Sequence, residues 1–427
     1  MSESTIPTDV PFERVAGRLN AEGFGDVTGT GWYRDAVYEG YSEGEYARRL
    51  QVTRDKMARE GLDVLLAAGG PNHWSFGAGM SWLSGYWEWH GASAYVVVPR
   101  EGPCVLVAGP GGAHREAIRR LSAIAEVRHS RRGRSGQVIV DLLRERGLDT
   151  GRVGLTFVDP VYGHYPPFNE VEALRAGLGD RLEFVGDFFH EFFYAKSEEE
   201  ADAVRVAGRL LDRALHAMIA AVRPGVTEQE LAAAATAPIL DGGGRVNFAI
   251  VGSTPMDDPA LAFGNPWPSQ RPIREGDIIL NELACGYRGF TVQLGSPICV
   301  GPPPAWIHDF FYEVVRPGFD AMAAQLQPGN TWEQVRKAGQ AFGEAGYDGR
   351  PLLLHTMDRV THKPHVNWHD VAADEADQVI RPGVAAMLEP TVITPDGKLG
   401  IFFGRSFLIT EDGHEQVTRF PHELIVI

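Results

Sequence analysis

The sequence predicts an α/β (α+β) protein of two domains, in which a mixed-sheet domain precedes a larger domain built on an internal repeat. After residue 41, short apolar strand patterns alternate with helical patterns as far as Phe188, which is typical of helices covering a mixed sheet. Further on, the phrases RPGVTEQEL and REGDIILNE are followed by the similar phrases QPGNTWEQV and RPGVAAMLE in the same order. We therefore predict an N-terminal extension over 1–40, a first domain over 41–190 and a second domain over 191–427.

Composition and charge exclude several classes of protein. The chain has 427 residues, of which 44% are hydrophobic and 22% charged, enough apolar material for the cores of two domains. A formal net charge of −16 argues against nucleic acid or an anionic membrane as the main partner. Three cysteines without a CxxC pair, and no signal-peptide pattern at the N-terminus, predict a cytoplasmic protein. No apolar run approaches the roughly 20 residues of a membrane helix.

The first domain contains an aromatic-rich stretch between predicted strands. The pattern predicts helix Glu43–Glu60 and strands Leu62–Ala67, Tyr95–Val98 and Val105–Ala108. Four of the nine tryptophans, Trp74, Trp82, Trp87 and Trp89, fall within the stretch 70–91. We interpret some of these rings as core and others as a wall beside the active site of a neighbouring subunit, where aromatic faces suit a cationic ligand. Residues 1–40 are interpreted as a segment that wraps a surface or a partner.

The second domain opens with a long helix and then alternates strands with helices. Ser197 is a plausible N-cap for a helix over Ala195–Val222, followed by three glutamates that suit the positive helix end. A second helix begins at Thr227. The later predicted elements are strand Asn247–Gly252, strand Asp277–Leu283, a turn over Gly286–Gly289, a strand from Phe290, helices Trp306–Leu326 and Thr331–Ala345, and strands Val384–Glu389 and Gly404–Thr410.

Spacing within the repeat points to a pair of glutamates. Glu282 follows Gly276 by six residues, and Glu389 follows Gly383 by six residues. Proline–glycine pairs are common before strands in unrelated proteins. The matched spacings nevertheless favour two half-units that face each other. Each half-unit would then send one glutamate toward the middle. Two carboxylates in one cleft raise the pKa of one of them, which suits general acid–base chemistry; the alternative is an ion-pair network with arginine.

A histidine-rich segment supplies the remaining candidates. His362, His365 and His369 would share one face if they were helical, but Pro364 argues for an extended segment instead. We predict His362 as the acid–base residue, with His365 and His369 shaping the pocket. His355 is left open between these two roles.

Six phrases in order carry a resemblance to a known family. AKSEEEADAVRVAGRLLDRAL, RPGVTEQEL, REGDIIL, GYRGFTVQ, RPGVAAMLEP and LITEDGHEQVT resemble the creatinase/aminopeptidase P/prolidase group, strongly over 190–427 and weakly over 43–185. The resemblance implies a creatinase-type N-terminal domain, a C-terminal pita-bread domain with a pseudo-two-fold repeat, and a hydrolase of C–N bonds. It also implies a homodimer in which the small domain of one subunit overhangs the site of the other.

The family's metal positions are only partly matched in this sequence. Metal-dependent members hold two metal ions with two aspartates eleven residues apart, one histidine and two glutamates. By resemblance, the aspartate positions fall on Glu282 and Gln293, and the glutamate positions fall on Glu389 and Gly404. The histidine position is assigned to His362.

Two further residues, His369 and Asn265, fall at positions where members of the family carry histidines. His369 lies seven residues after His362 and matches the family's second histidine, while Asn265 stands where many members carry an upstream histidine. The pattern looks most like the metal-free branch, which includes creatinase and the ectoine hydrolases.

From this we expect a hydrolase that cleaves a C–N bond of a small cationic or planar substrate, such as an amidine, guanidine, cyclic imine or amide. No cofactor is expected; the alternative is one divalent metal at Glu282, His362 and Glu389 in a hydrolase resembling Xaa-Pro dipeptidases. A lyase or a non-catalytic binding protein on the same fold are further alternatives. The predicted catalytic residues are His362, Glu389 and Glu282, and the predicted substrate-binding residues are Gln293, His369, His365, Asn265, Trp89 and His90.

Overall fold

The computed structural model describes residues 37–70, 77–89, 91–109, 113–131, 133–349, 352–359, 361–372 and 375–427. These residues divide into two compact units, one ending at Gly186 and the other running from Asp187 to the C-terminus. Most of the predicted extension, together with Trp74 and His90, lies outside the described residues. Among the helices of the described ranges, none is long and apolar enough to cross a membrane.

The first unit is a mixed six-stranded sheet with helices. Its elements are α1 Glu43–Glu60, β1 Val64–Gly69, α2 Ala78–Ser84, β2 Ala94–Pro99, β3 Val105–Ala108, α3 Ala113–Leu121, β4 Glu126–His129, α4 Ser135–Glu145, β5 Val153–Thr156, α5 Phe168–Leu178, a 3-10 turn Gly179–Arg181 and β6 Leu182–Gly186. The strand order is β4-β3-β2-β1-β5-β6, and β1 runs antiparallel to β2 but parallel to β5. The predicted mixed sheet is therefore confirmed.

Helix α1 has the ends that its sequence predicts. The Ser42 hydroxyl accepts a hydrogen bond from the Glu45 amide at 3.1 Å, which satisfies one of the free N–H groups of the first turn. The helix ends at Gly61, whose φ of 71° lies in the left-handed region where a side chain would be strained. Polar capping and a terminal glycine thus fix both ends.

The second unit begins with helices α6 His190–Tyr194, α7 Glu198–Ala221 and α8 Glu228–Asp241. The Ser197 hydroxyl accepts from the Glu200 amide at 3.3 Å and the Glu200 carboxylate accepts from the Ser197 amide at 2.9 Å, so the predicted N-cap of α7 is confirmed. The strands and helices that follow are β7 Arg245–Pro255, β8 Asp277–Tyr287, β9 Phe290–Leu294, β10 Ile298–Cys299, α9 Ala305–Asp309, a π-helical segment Phe310–Val315, α10 Arg316–Ala323, α11 Trp332–Gly339 and α12 Ala341–Glu344. The final elements are β11 Asp348–Gly349, β12 Leu352–Met357, β13 Thr361–Asn367, β14 Ala385–Leu388, β15 Thr391–Ile393, β16 Gly400–Phe402, β17 Arg405–Thr410, β18 Gly413–Gln416 and β19 Ile425–Val426.

Three sheets organise this unit. The first has the order β19-β10-β8-β7, with β9 also paired to β8; the second has the order β13-β12-β14-β17-β18; the third is β11-β15-β16. Fully buried apolar side chains from the helices and the sheets, such as Phe311, Trp332 and Leu388, form one core. This core fixes the strands that carry the candidate site.

The internal repeat is visible in the backbone. The Gly225 amide donates to the Ile273 carbonyl at 2.8 Å, and the Gly329 amide donates to the Ile380 carbonyl at 2.9 Å. The φ angles of Gly225 and Gly329 are 92° and 93°, a left-handed conformation that favours glycine. Each half of the repeat therefore uses the same turn before its helix.

Two elements differ from their predicted extents. The helix predicted over Trp306–Leu326 contains a π-helical segment just before Pro317, because proline lacks the N–H group needed for the regular bond. Strand β8 runs on to Tyr287, and its connection to β9 is the two-residue turn Arg288–Gly289 with φ of 46° and 87°. Two left-handed residues in succession are typical of tight hairpins.

Candidate active site

The first half of the repeat contributes an acid and an amide from one hairpin. Glu282 on β8 is paired with Ile250 of β7, and Gln293 on β9 is paired with Ala284 of β8. Residues two apart on a strand face the same side, as do residues paired across strands, so Glu282 and Gln293 project from the same face. Both are buried, at 7% and 3% exposure.

The second half contributes a histidine and an acid. His355 lies on β12, and Glu389 directly follows β14, its amide donating to the Leu353 carbonyl at 2.8 Å. The Nε2 atom of His355 lies 3.0 Å from Gln293 Oε1 and 3.5 Å from Glu389 Oε1. Side chains from both halves of the repeat therefore meet at His355.

The environment of His355 keeps its ring neutral. Burial lowers the pKa of His355 to about 3, with His365 acting in the same direction and the Thr356 carbonyl opposing it. That carbonyl oxygen lies 2.9 Å from Nδ1. A neutral imidazole has one N–H group, while three oxygen atoms, from Thr356, Gln293 and Glu389, surround its two nitrogens. We call Thr356, Gln293 and Glu389, with His355 itself, the acceptor group around His355.

A serine on β17 fixes the backbone of Gln293. The Gln293 amide donates to Ser406 Oγ at 3.1 Å, and the same hydroxyl donates to the Gln293 carbonyl at 2.7 Å. Ser406 is fully buried. This two-way contact joins β9 to β17 and positions the carboxamide beside His355.

His362 lies in a second cluster, beside helix α6. Its ring stacks on that of His190 with centroids 4.7 Å apart, and His362 Nε2 is 3.3 Å from His190 Nδ1. Burial, followed by the nearby charges of His190 and Lys196, holds the pKa of His362 well below its usual value. The structure thus groups His355 with Gln293 and Glu389, and His362 with His190.

A buried ion pair supports the loop between β12 and β13. Lys196 Nζ lies 2.9 Å from Asp358 Oδ2, and both side chains are almost fully buried. Burial raises the pKa of Asp358, while the Lys196 charge opposes this shift. The Thr291 amide donates to the Asp358 carbonyl at 2.8 Å, which ties the loop to β9. Sequence reasoning missed this pair, because Lys196 and Asp358 are far apart along the chain.

Two other predicted histidines lie along or just beyond β13. His365 is half-buried on β13, with its ring centroid 6.3 Å from that of His355. His369 lies on an exposed bend past the end of the strand. The extended conformation predicted from Pro364 is confirmed by the strand Thr361–Asn367.

Two more of the predicted substrate-binding residues, Asn265 and Trp89, lie in different units. The Asn265 side-chain oxygen accepts from the Trp267 amide at 3.0 Å, and the residue is half-buried. In the first unit, Trp89 is 48% exposed and meets the edge of His114 at 5.2 Å between centroids, whereas Trp82 is fully buried. The stretch therefore contains both a core ring and an exposed ring. His90 lies outside the described residues.

The spacing of the three histidines along the chain does not assign a role to His355. His355 precedes His362 by seven residues, just as His362 precedes His369, so a seven-residue rule cannot choose between the two pairs. In the structure His355 pairs with Met387 of β14, two residues before Glu389, which places His355 beside that carboxylate.

Comparison with known proteins places the chain in a family. Residues 202–411 match the profile described as Metallopeptidase family M24, and residues 49–186 match that of the Creatinase/Prolidase N-terminal domain. The chain belongs to the creatinase/prolidase family of M24 hydrolases. The recognised family and the hydrolase class predicted from sequence are confirmed.

Individual relatives show the breadth of this M24 family. The chain is 33% identical over 263 residues to the probable dipeptidase PepE of Mycobacterium tuberculosis, covering 60% of this chain and 66% of PepE, about two thirds of that relative. It is 24% identical over 421 residues to the ectoine hydrolase of Halomonas elongata, covering 90% of this chain and 98% of that protein. The prolidase structure from Pyrococcus horikoshii aligns with a TM-score of 0.71 at 20% identity, covering 88% of this chain and 100% of the prolidase. That likeness confirms the predicted two-domain pita-bread fold.

These comparisons contradict the prediction that the protein has no cofactor. The matching family is one of metallopeptidases, and the similar proteins include dipeptidases, so the metal-free interpretation is withdrawn. The alternative of one metal ion at Glu282, His362 and Glu389 stays a prediction. Among the described residues, the group whose ligand atoms lie within 4.8 Å of one another contains His362 with Asp187 and His190.

The residues at the family's metal positions do not fit a two-metal centre. Gln293 offers a neutral carboxamide, whose oxygen lies beside His355, where a bridging carboxylate is needed. Gly404 has no side chain, and a Cβ atom there would lie 2.4 Å from Met387 Cε and 2.9 Å from the Phe402 ring. Two of the carboxylates that neutralise close cations are therefore absent from these positions, so no step of the hydrolysis is assigned to a two-metal centre.

Proposed function

We propose that the protein hydrolyses a C–N bond of a small substrate that carries a cationic or N–H-bearing group, such as an amidine, guanidine, cyclic imine or amide. One observation carries this proposal: side chains from both halves of the repeat converge in a buried group, where His355 Nε2 lies 3.0 Å from Gln293 Oε1 and 3.5 Å from Glu389 Oε1. A substrate that brings N–H donors complements such a group, and charge-assisted hydrogen bonds to carboxylates are the stronger kind.

The side chains have distinct roles in this proposal. Glu282 and Glu389 bind the substrate nitrogen and orient a water molecule, with one of them as the general base. The water oxygen forms the new C–O bond, its proton passes to the carboxylate, and the same proton is delivered to the leaving nitrogen as the C–N bond breaks. Gln293 and His355 hold the substrate in place. The predicted role of His362 as a proton carrier remains part of the proposal.

Labelled water tests hydrolysis directly. Purified protein is incubated with a panel of amidines, guanidino acids, cyclic imines and amides in heavy-oxygen water, and products are examined by mass spectrometry. The proposal predicts one heavy oxygen in the product of any active substrate. An unlabelled, unsaturated product would indicate a lyase and contradict the proposal, and so would absence of turnover across the panel.

A dipeptide is a second candidate substrate, favoured by the 33% identity to the probable dipeptidase PepE. A dipeptide also presents an ammonium group next to an amide bond, so it satisfies the same acceptors. Comparing kcat/KM for dipeptides, including Xaa-Pro, with kcat/KM for amidines and guanidines decides between the two. A preference for dipeptides by more than tenfold would favour the second candidate.

We also propose a cytoplasmic homodimer with a shared active site. The proposal rests on the family resemblance, and Trp89, which is 48% exposed, is the ring of the aromatic stretch that a second subunit would cover. All three cysteines are free and buried, which suits a reducing compartment. Light scattering should give the mass of a dimer. Mixed dimers of a Glu389→Gln subunit and a Trp89→Ala subunit should regain one working site; no recovery would reject the shared site.

A further inference from the structure

A second cluster of side chains has the composition of a metal site. Among the described residues, the group Asp187, His190 and His362 brings one ligand atom from each member to within 4.8 Å of the others. The acceptor group around His355 uses none of these three. We propose that this cluster, the Asp–His–His cluster, binds a divalent transition-metal ion.

Local structure explains why the three side chains converge. Asp187 and His190 belong to one turn, closed by a hydrogen bond from the His190 amide to the Asp187 carbonyl at 3.0 Å. Residues three apart in such a turn lie on the same side. His362 approaches from β13, and its ring also meets the edge of Phe193 at 5.9 Å. A helix end and a strand therefore supply the ligands, which favours a preformed site.

The spacing of the nitrogens matches a shared metal ion. Zinc binds histidine nitrogen at about 2.0–2.1 Å in tetrahedral geometry, which places two such nitrogens about 3.3–3.4 Å apart. His190 Nδ1 and His362 Nε2 are 3.3 Å apart. The rings are stacked with 20° between their planes, so metal binding requires them to turn about χ2, which moves both nitrogens. The present 3.3 Å shows that the backbone already brings the two nitrogens as close as one ion requires.

The donor set selects the class of ion. Two imidazoles and one carboxylate suit zinc, iron, cobalt or nickel, whereas magnesium and calcium prefer oxygen ligands alone. His362 is buried, whereas His190 and Asp187 are partly exposed. The site thus has one dry side and one side open to water, which provides an entry path and further ligand positions.

Two lysines, Lys363 and Lys196, place positive charge near the Asp–His–His cluster and could oppose the binding of a cation. Lys363 Nζ lies 3.9 Å from Asp187 Oδ2 and equally 3.9 Å from Glu375 Oε1, and the side chain is 47% exposed. It can turn to Glu375 and solvent when a metal ion takes Asp187. Lys196 is held by Asp358 at 2.9 Å, which offsets its charge. Neither lysine therefore blocks a cation.

The position of the Asp–His–His cluster couples it to the neighbouring strand. Thr356, the residue after His355, donates from its hydroxyl to the His362 carbonyl at 2.9 Å. A metal ion bound at His362 would fix β13 against α6 next to the strand that carries His355. The proposal shares His362 with the proposed hydrolysis, but Asp187 and His190 have no role in that reaction, and metal content can be measured without turnover.

Cobalt provides a direct test. The purified full-length protein is stripped with a chelator, dialysed, and titrated with Co(II) while visible absorption and elemental analysis are recorded. We expect one cobalt ion per chain, with the intense visible bands of a four- or five-coordinate ion. His190→Ala and Asp187→Asn should each weaken binding at least tenfold, the usual effect of losing a ligand or its partner.

Matched variants separate this site from the acceptor group. His308→Ala, at an exposed histidine 3.2 Å from Asp309, and Glu389→Gln should leave cobalt affinity unchanged. Loss of cobalt in Glu389→Gln with retention in His190→Ala would overturn the proposal, as would the absence of stoichiometric binding to the unmodified protein. Because metal content is measured rather than turnover, failure of this proposal is distinct from failure of the proposed hydrolysis.

Discussion

His355 shows how burial sets the chemistry of a single residue. Its ring is 2% exposed and lies among oxygen atoms from a backbone carbonyl, an amide and a carboxylate. Hydrogen bonding alone would favour a charged ring, but desolvation outweighs it and lowers the pKa. The ring is therefore neutral at pH 7 although it lies beside a carboxylate.

The same shift predicts a loss of stability in mild acid. Folded His355 has a pKa of about 3, whereas an unfolded histidine titrates near 6.5, so below that pH the unfolded chain binds a proton that the folded chain does not. Between pH 7 and pH 5 the free energy of unfolding should fall by on the order of 2 kcal/mol through this residue. Urea unfolding at both pH values checks this.

A variant isolates the contribution of His355 to that pH dependence. His355→Gln should reduce the fall in the free energy of unfolding between pH 7 and pH 5 by the same 2 kcal/mol or so, because glutamine does not titrate. Other buried histidines, including His362, contribute in both proteins and cancel in the comparison. An identical fall in the two proteins would contradict the assignment of a neutral His355.

The buried ion pair Lys196–Asp358 supports a second prediction at the residue scale. Lys196→Met leaves the Asp358 carboxylate buried without its main partner and should cost about 3–5 kcal/mol of unfolding free energy. The double variant with Asp358→Asn should recover much of this. Lys398→Met is the control, because Lys398 and Asp258 form an exposed pair at 3.5 Å and should cost about 1 kcal/mol or less. Equal costs for the two single variants would refute the prediction.

At the scale of elements, the sequence predicted those parts whose signals are local. The ends of α1 and the N-cap of α7 followed from serine, glutamate and glycine at fixed positions, and the repeat followed from glycines whose φ angles the structure shows to be matched. The π-helical segment was not predicted, although the missing N–H group of Pro317 is a local signal for it. The grouping of His355 with Gln293 and Glu389 did not follow either, because it depends on the register between distant strands, which spacing along the chain does not record.

The repeat predicts that its two helix caps contribute equally to the free energy of unfolding. Thr227 and Thr331 each form a capping box at the start of α8 and α11. Thr227→Ala and Thr331→Ala should each cost about 1 kcal/mol, as removal of a cap generally does. Thr236→Ala, inside α8, should be neutral or slightly stabilising, because alanine is the better helix former. Thermal or chemical unfolding measures all three, and a neutral effect at either cap would contradict the equivalence.

At the scale of the whole molecule, family membership gives the fold, whereas the chemistry of the site depends on residues that differ from the family's pattern. The M24 family profile and the prolidase structure fix the fold, and the family corrects the expectation of a protein without metal. The positions at Gln293 and Gly404 depart from the family's two-metal pattern: the Gln293 carboxamide lies beside His355, and a Cβ atom at position 404 would lie 2.4 Å from Met387 Cε. Sequence alone identified both departures, but not the Asp–His–His cluster, since His190 and His362 are 172 residues apart along the chain.

The central claim is that the acceptor group around His355 carries out hydrolysis, and the turnover of Glu389→Gln tests it most directly. With a substrate from the panel, kcat/KM should fall by about 10²–10⁴, the usual contribution of an acid–base group, while the folded state remains unchanged by circular dichroism. Glu344→Gln, at an exposed glutamate, should retain full activity. If Glu389→Gln retained the activity of the unmodified protein, the hydrolytic site would have to be elsewhere.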